Sequence, residues 1–148
     1  LEILQTVLPR KGLALEIASG TGQHVEWFAK HLPDWTWQPT DFDTDALPGI
    51  DARVAHEGTP RVHPARRLDV TTSPWLADAQ AGLALFDLVY AANMLHISPW
   101  ATCAALMRGA AQRLRPGGRV NVAQWAVGSH GNGLREFRAR RRWSRSRG

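Results

Sequence analysis

The chain has 148 residues, a single cysteine and a formal net charge of +5. This length predicts one domain with one hydrophobic core, which buries about 70% of the surface that the unfolded chain exposes. No window approaches the roughly 18 apolar residues of a membrane span, and one cysteine excludes a disulfide framework within the chain. We therefore expect a soluble, cytoplasmic protein that has no membrane partner.

The positive charge is concentrated near the carboxyl end. Residues 1–118 hold ten Lys and Arg against twelve Asp and Glu, a net charge of −2. Residues 119–148 hold eight Arg and one acidic residue, a net charge of +7. Nucleic acid is therefore disfavoured as a partner of the folded body, and a flexible nucleic-acid arm is one interpretation of the tail.

The apolar spacing predicts alternating helices and strands. In chain order they are a helix over 1–8, a strand over 13–18, a helix from about 23 to 32, a strand over 35–40, a weaker helix over 45–55, a strand over 66–70, a strand over 86–92, a helix from 98 to 114 and a strand from 120. We expect Pro39 to end pairing in the second strand and Pro116-Gly117-Gly118 to separate the last helix from the last strand. This alternation predicts an α/β fold, Rossmann-like and doubly wound, with a mainly parallel sheet in three α/β/α layers.

The first strand leads into a glycine loop that predicts a nucleotide-type binding edge. Gly20 and Gly22 permit positive φ angles and close approach of a ligand, and a helix N-terminus follows. Val25 stands where a dinucleotide-binding motif requires a third glycine, and the lysine of a phosphate-binding P-loop is absent. These absences disfavour a nicotinamide oxidoreductase and an ATPase. The histidines show no spacing typical of a metal site.

Five segments in this order resemble the class I S-adenosylmethionine-dependent methyltransferases. They are Glu16-x-x-x-Gly20-x-Gly22, Asp41 after the second strand, Asp69 after the third, the segment 86–96, and Leu114-Arg115-Pro116-Gly117-Gly118. The resemblance implies S-adenosylmethionine as the cofactor and methyl transfer as the type of reaction, and it does not identify the acceptor, which we expect to be a small molecule. Three segments (16–24, 37–41 and 92–100) are similar to one narrower branch, the methyltransferase-like 26 proteins, formerly a domain of unknown function.

The resemblance also implies roles for individual residues. Glu16, Gly20 and Gly22 are expected to hold the methionine end of the cofactor, and Ala18 and Ser19 of the same loop to bind the cofactor as well. His24 either contacts the cofactor or occupies an exposed helix N-terminus. Asp41 is expected to bind the ribose or to cap the loop that follows it, and Asp69 to bind the adenine or to form a turn. His96 is a candidate general base or a histidine bonded to backbone, and Asn93 either orients the acceptor or caps the strand end.

The sequence departs from this family near its carboxyl end. The family continues with a Tyr-Gly-Pro-Phe-like segment, whereas this chain has Trp125-Ala126-Val127 and then an arginine-rich run. We therefore predict an incomplete cofactor-binding domain over 1–120 and an atypical tail over 121–148, disordered or produced by a frame change. Two alternatives stay open for the chain: a non-catalytic cofactor-binding or interaction domain, and a basic-tailed nucleic-acid-binding protein.

Overall fold

The structure is a computed structural model that describes residues 2–77, 85–92, 100–125 and 134–137. Its elements are α1 (Glu2–Val7), β1 (Gly12–Ile17), α2 (Gln23–His31), β2 (Trp35–Asp41), a 3₁₀ turn (Thr44–Ala46), α3 (Leu47–His56), β3 (Arg66–Arg67), β4 (Phe86–Ala92), α4 (Trp100–Arg113), β5 (Leu114–Trp125) and β6 (Leu134–Phe137). None of the described helices has the length and hydropathy that crossing a membrane requires.

The strands form one six-stranded sheet in the order β3-β2-β1-β4-β5-β6. The first five strands are parallel, and β6 runs antiparallel to β5. The chain first builds outward from β1 to β3 and then returns to the other side of β1 with β4, which is the doubly wound arrangement. The predicted Rossmann-like α/β fold is confirmed.

Two hydrophobic clusters cover the two faces of the sheet. Helices α1, α2 and α3 contribute Leu4, Phe28 and Ile50 to one cluster, which packs on Trp37 of β2. On the other face, Leu106 of α4 belongs to the cluster that packs on the opposite side of β1 and β4. Because successive side chains of a strand point to opposite faces, β1 is buried on both sides and is apolar apart from Glu16.

Pro39 does not end pairing in β2, which is a correction to the sequence prediction. The strand continues to Asp41, and Pro39 itself pairs with Glu16 of β1. The missing N–H of Pro39 faces the β3 side, where pairing of β2 with β3 begins only at Thr40 and Arg66. The side-chain amide of Gln38 fills this gap, since its Nε2 donates to the carbonyl oxygens of Pro39 (3.0 Å) and Pro64 (2.9 Å).

The bounds of strands β3 and β5 also differ from the prediction, each for its own reason. Strand β3 contains only Arg66–Arg67 rather than residues 66–70, because the chain turns at Asp69. Strand β5 begins at Leu114 and runs through Pro116-Gly117-Gly118, so this segment does not precede the strand. The register between β4 and β5 shifts at this segment, because Phe86 pairs with Leu114 whereas Leu88 pairs with Arg119. Bulged residues need no partner in the ladder, which is why proline and glycine are tolerated there.

Strand β5 extends to Trp125, so the predicted domain boundary at residue 120 falls inside a strand. Residues 134–137 form β6, with Val122 opposite Phe137 and Trp125 opposite Leu134. The sequence contained no apolar period that predicted this strand. The remaining tail residues, 126–133 and 138–148, lie outside the described residues, and the frame change stays a prediction.

Candidate cofactor-binding site

The candidate site lies at the carboxyl edge of β1, β2 and β4. Glu16, near the end of β1, pairs with Pro39 on one side and with Tyr90 of β4 on the other. Asp41 ends β2. Since parallel strands present their carboxyl ends at one edge, residues distant in sequence meet there, and the strand order reverses beside β1.

The loop after β1 contains three left-handed residues in alternation. The φ angles are 56° at Ala18, 58° at Gly20 and 75° at Gly22, and the Gly22 N–H donates to the Ser19 carbonyl at 2.8 Å. A Cβ at Gly22 would lie 3.2 Å from Ile50 Cγ2, whereas a Cβ at Gly20 would meet nothing within 4 Å. Gly22 is therefore required for packing against α3, and Gly20 leaves open space above the loop.

Glu16 is a buried acid held by its neighbours. Its side chain is 1% exposed, and the Ser19 hydroxyl donates to Glu16 Oε2 at 2.6 Å. The Thr40 hydroxyl donates to the Glu16 carbonyl oxygen at 2.6 Å. Burial raises the pKa of Glu16 to about 8, the Ser19 hydrogen bond opposes this rise, and the charge of Asp41 adds to it. Glu16 is thus mainly protonated at neutral pH.

Asp41 connects β2 to the glycine loop. The Gly20 N–H donates to Asp41 Oδ2 at 2.8 Å, and the Asp43 N–H donates to Asp41 Oδ1 at 3.0 Å. The predicted capping of the following loop is therefore present. Each carboxylate oxygen retains a second lone pair, so that the same side chain can also accept hydrogen bonds from a ligand.

His24 lies in the first turn of α2, half-buried between two aromatic rings. Its ring centroid is 6.3 Å from that of Phe28 and 6.2 Å from that of Tyr90. Burial lowers the pKa of His24 below its ordinary value, so the imidazole is neutral at pH 7. The side chain therefore offers a neutral donor or acceptor next to β4.

Asp69 forms a turn after β3. Its Oδ1 accepts hydrogen bonds from the Thr71 N–H (2.9 Å) and the Thr71 hydroxyl (2.6 Å). These bonds lower the pKa of Asp69, which stays ionised at neutral pH. The turn-forming role predicted as an alternative is thus present in the structure.

The sequence reasoning missed Phe42. It follows Asp41 directly, its side chain is 62% exposed, and the Arg67 guanidinium carbon lies 5.2 Å from the centre of its ring. Single exposed apolar side chains are common on protein surfaces, so it is the position of Phe42 beside Asp41 at the candidate binding edge that makes it a candidate ligand contact. The sequence did contain a signal for this residue, because Phe42 is the one large apolar residue within a run of Asp and Thr at the end of β2.

Asn93 and His96, the predicted acceptor-side residues, lie outside the described residues, and their roles stay predictions. Within the described ranges, no three His, Cys, Asp or Glu side chains are placed to hold a metal ion. A shallow cleft lined by Leu8, Arg10 and Trp35 lies at the other end of the strands, where β2 begins. It contains none of the predicted cofactor residues.

Comparison with known proteins defines the family. A family model described as "Protein of unknown function (DUF938)" matches residues 1–123. The chain belongs to the DUF938 family. The match ends two residues before the end of β5 and includes the whole candidate site.

Solved structures of methyltransferases share the fold of this DUF938 chain. A putative methyltransferase from Bacillus halodurans is 21% identical with a TM-score of 0.67, over 87% of this chain and 52% of that one. The glycopeptide N-methyltransferase MtfA, solved with S-adenosyl-L-homocysteine, is 19% identical with a TM-score of 0.67, over 84% of this chain and 50% of that one. The S-adenosylmethionine-dependent methyltransferase SibL is 25% identical with a TM-score of 0.67, over 78% and 32%. The DUF938 chain thus spans about half the length of the first two proteins.

Proposed function

We propose that this chain binds S-adenosylmethionine at the loop after β1 and acts in methyl transfer to a small-molecule acceptor. The observation that carries the proposal is the hydrogen bond from the Gly20 N–H to Asp41 Oδ2 (2.8 Å), next to the buried carboxyl of Glu16. This arrangement combines a backbone surface open to a ligand with two acidic side chains. It suits a ligand that has both a cationic group and a ribose.

The residues present fit such a cofactor. Gly20 leaves open space where a Cβ would project, so the backbone can be approached closely. Asp41 would accept hydrogen bonds from the ribose hydroxyls, and Glu16 would face the methionine end together with Ser19 and Ala18. Phe42, with one face near Arg67, offers an exposed apolar surface for the adenine, and Asp69 supplies an acceptor on the next strand.

When bound, S-adenosylmethionine would supply an electrophilic methyl group on its sulfonium, which an acceptor would take by in-line attack on the methyl carbon while S-adenosylhomocysteine leaves as the neutral thioether. The protein contributes by holding the acceptor in line with that methyl group and by excluding water. We propose that Asn93 and His96 line the acceptor side, where a base is needed only if the acceptor must lose a proton. His24 is neutral and would contribute a hydrogen bond rather than a charge.

The proposed acceptor class draws on the names of structural neighbours. Two of them are called a glycopeptide N-methyltransferase and coclaurine N-methyltransferase. The narrower resemblance to the methyltransferase-like 26 proteins belongs to the same proposal. The names of these two neighbours favour a small acceptor over nucleic acid, whereas the methyltransferase-like 26 resemblance concerns only the cofactor and the type of reaction.

The test is calorimetric titration of the chain with S-adenosylhomocysteine, next to Asp41→Ala and the control Asp34→Ala. Asp34 is an exposed aspartate in an ion pair with Arg10 (3.8 Å), and it borders the cleft where β2 begins. We expect binding by the wild type and by Asp34→Ala, and at least tenfold weaker binding by Asp41→Ala. Circular dichroism establishes that each variant is folded.

A folded wild-type chain that does not bind would overturn the proposal. Binding without methyl transfer to any of a panel of small amines, phenols and thiols would support the cofactor site and favour a non-catalytic binding domain. Salt-sensitive binding of RNA or DNA, lost on removing residues 135–148, would instead favour the basic-tailed nucleic-acid-binding protein.

A further inference from the structure

The segment after β3 is fastened to α4 at a notch formed by Gly109. Trp75 is 2% exposed and belongs to the hydrophobic cluster that includes Leu106 and Ala110 of α4. A Cβ at Gly109 would overlap Cε2 and Cζ2 of the Trp75 indole and lie 2.6 Å from its Nε1. The indole therefore lies directly against the backbone of α4, and any larger residue at this position would displace it.

Hydrogen bonds connect Trp75 back to Asp69. Trp75 Nε1 donates to the Val70 carbonyl oxygen (3.2 Å), and Val70 follows Asp69 directly. The Thr72 N–H (3.1 Å) and the Thr72 hydroxyl (3.0 Å) both donate to the Asp69 carbonyl oxygen. Residues 69–75 thus form one bonded turn, whose position depends on where the Trp75 indole lies.

A second contact joins the same turn to α4. The Ser73 hydroxyl donates to Gln112 Oε1 at 3.0 Å, three residues beyond Gly109 on the helix. The turn is therefore attached to α4 in two ways, by a buried indole and by an exposed hydrogen bond.

The turn places Asp69 beside Phe42, the proposed adenine contact. The Leu68 N–H donates to the Asp41 carbonyl oxygen at 2.8 Å, and Asp69 and Phe42 are the residues that follow this bonded pair. Both Thr71 bonds go to Oδ1 of Asp69, and in the part of the chain that the structure describes no donor is bonded to Oδ2. This carboxylate can therefore accept a hydrogen bond from a ligand at the end of β2.

We propose that Trp75 is a positioning residue for adenine recognition, because its indole in the Gly109 notch holds the Asp69 carboxylate where the adenine amino group would bind. The inference rests on the proposed cofactor. It names a side chain that acts on selectivity for the base through Asp69 without touching the ligand. A site that accepts a hydrogen bond from its ligand discriminates against an analogue without that donor, so displacement of the turn should reduce base selectivity first.

The test compares two ligands that differ only at the base. S-adenosylhomocysteine carries an amino group on its purine, whereas S-inosylhomocysteine carries a carbonyl oxygen there, which cannot donate to a carboxylate. Titration calorimetry of the wild-type chain should give at least about tenfold tighter binding of S-adenosylhomocysteine. We expect this ratio to fall to about threefold or less in Gly109→Ala, which displaces the indole, and in Trp75→Phe, which removes the bond to Val70. Binding of S-inosylhomocysteine should not weaken.

Two further variants complete the comparison. Arg108→Ala is the matched control on α4, since Arg108 is the exposed neighbour of Gly109, and its ratio should equal that of the wild type. Ser73→Ala removes only the exposed bond to Gln112 and leaves the core intact, so its ratio should fall about two- to threefold. It tests the inference even where Gly109→Ala does not fold, which circular dichroism establishes.

A double-mutant cycle determines whether Trp75 acts through Asp69. Asp69→Ala should lower the affinity for S-adenosylhomocysteine to about that for S-inosylhomocysteine. Adding Trp75→Phe to Asp69→Ala should then change the affinity by less than about twofold. Additive losses would overturn the inference, because Trp75 would then act independently of Asp69.

The outcomes separate this inference from the proposed function. A folded Trp75→Phe chain that binds both ligands more weakly by the same factor would overturn the positioning role and leave the cofactor proposal standing. Equal binding of the two ligands by the wild type would overturn the adenine role of Asp69 and the inference with it. No binding of either ligand by a folded wild-type chain would overturn the cofactor proposal and the inference together.

Discussion

The N–H of Gly20 donates to the carboxylate of Asp41 at 2.8 Å across 21 positions of sequence. This bond joins the loop after β1 to the end of β2, so the Asp41 side chain helps to fix the conformation of the glycine loop. Asp41 therefore has two roles to test, one in fixing the loop and one in binding the proposed ribose.

Replacing Asp41 by asparagine separates these roles. Asparagine retains one oxygen that can accept the Gly20 N–H, so we expect a stability loss of about 1 kcal/mol or less. Alanine loses both carboxylate oxygens, which accept the backbone N–H groups of Gly20 and Asp43, and should cost about 1–2 kcal/mol. Both variants should weaken S-adenosylhomocysteine binding at least tenfold. Urea unfolding and titration calorimetry measure the two effects, and an asparagine variant that binds like the wild type would count against the ribose role.

Glu16 should make the stability of the free chain depend on pH. Its pKa is raised from 4.5 to about 8 in the folded chain, so between these values the folded state holds a proton that the unfolded state has lost. The free energy of unfolding therefore contains a contribution that is fully present below pH 4.5 and is lost as pH rises through 8. The loss should be on the order of 5 kcal/mol.

Glu16→Gln should remove this contribution, since a glutamine does not titrate. We expect a flatter dependence of the unfolding free energy on pH between 5 and 8, and a variant more stable than the wild type at pH 8. Urea unfolding at several pH values measures both. Parallel curves for the two proteins would mean that Glu16 does not hold its proton.

Three glycine-to-alanine substitutions should differ in sign. At Gly22, φ is 75° and a Cβ would lie 3.3 Å from the Ile50 Cα, so we expect a loss of about 1–3 kcal/mol. At Gly20, φ is 58° but the space is open, so stability should fall by about 1 kcal/mol while cofactor binding falls further. Gly49, in α3 with open space around it, should gain about 0.5–1 kcal/mol. Thermal unfolding ranks the three, and a neutral Gly22 variant would contradict the loop geometry.

Phe42→Ala should affect binding rather than stability. Its side chain is 62% exposed, so truncation should change the unfolding free energy by less than about 0.5 kcal/mol. We expect several-fold weaker binding of 5′-methylthioadenosine, because base–aromatic contact is lost. Met107→Ala is the control, an apolar side chain on α4 that is 37% exposed. Equal effects of the two substitutions on binding would contradict the adenine role of Phe42.

Much of the fold could be predicted because its signals are local. Strand β4 has the predicted bounds, and α2 follows from four apolar residues at helical spacing. The turns at Asp41 and Asp69 were foreseen as alternatives because Asp caps turns through its own neighbours. Strand β6 carried no such local pattern and could not be foreseen.

The sequence by itself determined the alternation of strands and helices, the glycine loop and the acidic residues at the strand ends. Only the tertiary structure decided what these residues do to one another. Pro39 continues β2 because Gln38 bridges the gap to Pro64, and the pKa of Glu16 is raised because the side chain is buried and lies near the charge of Asp41. Periodicity and loop chemistry are properties of neighbouring residues, whereas charge, solvation and strand pairing depend on groups that only folding brings together.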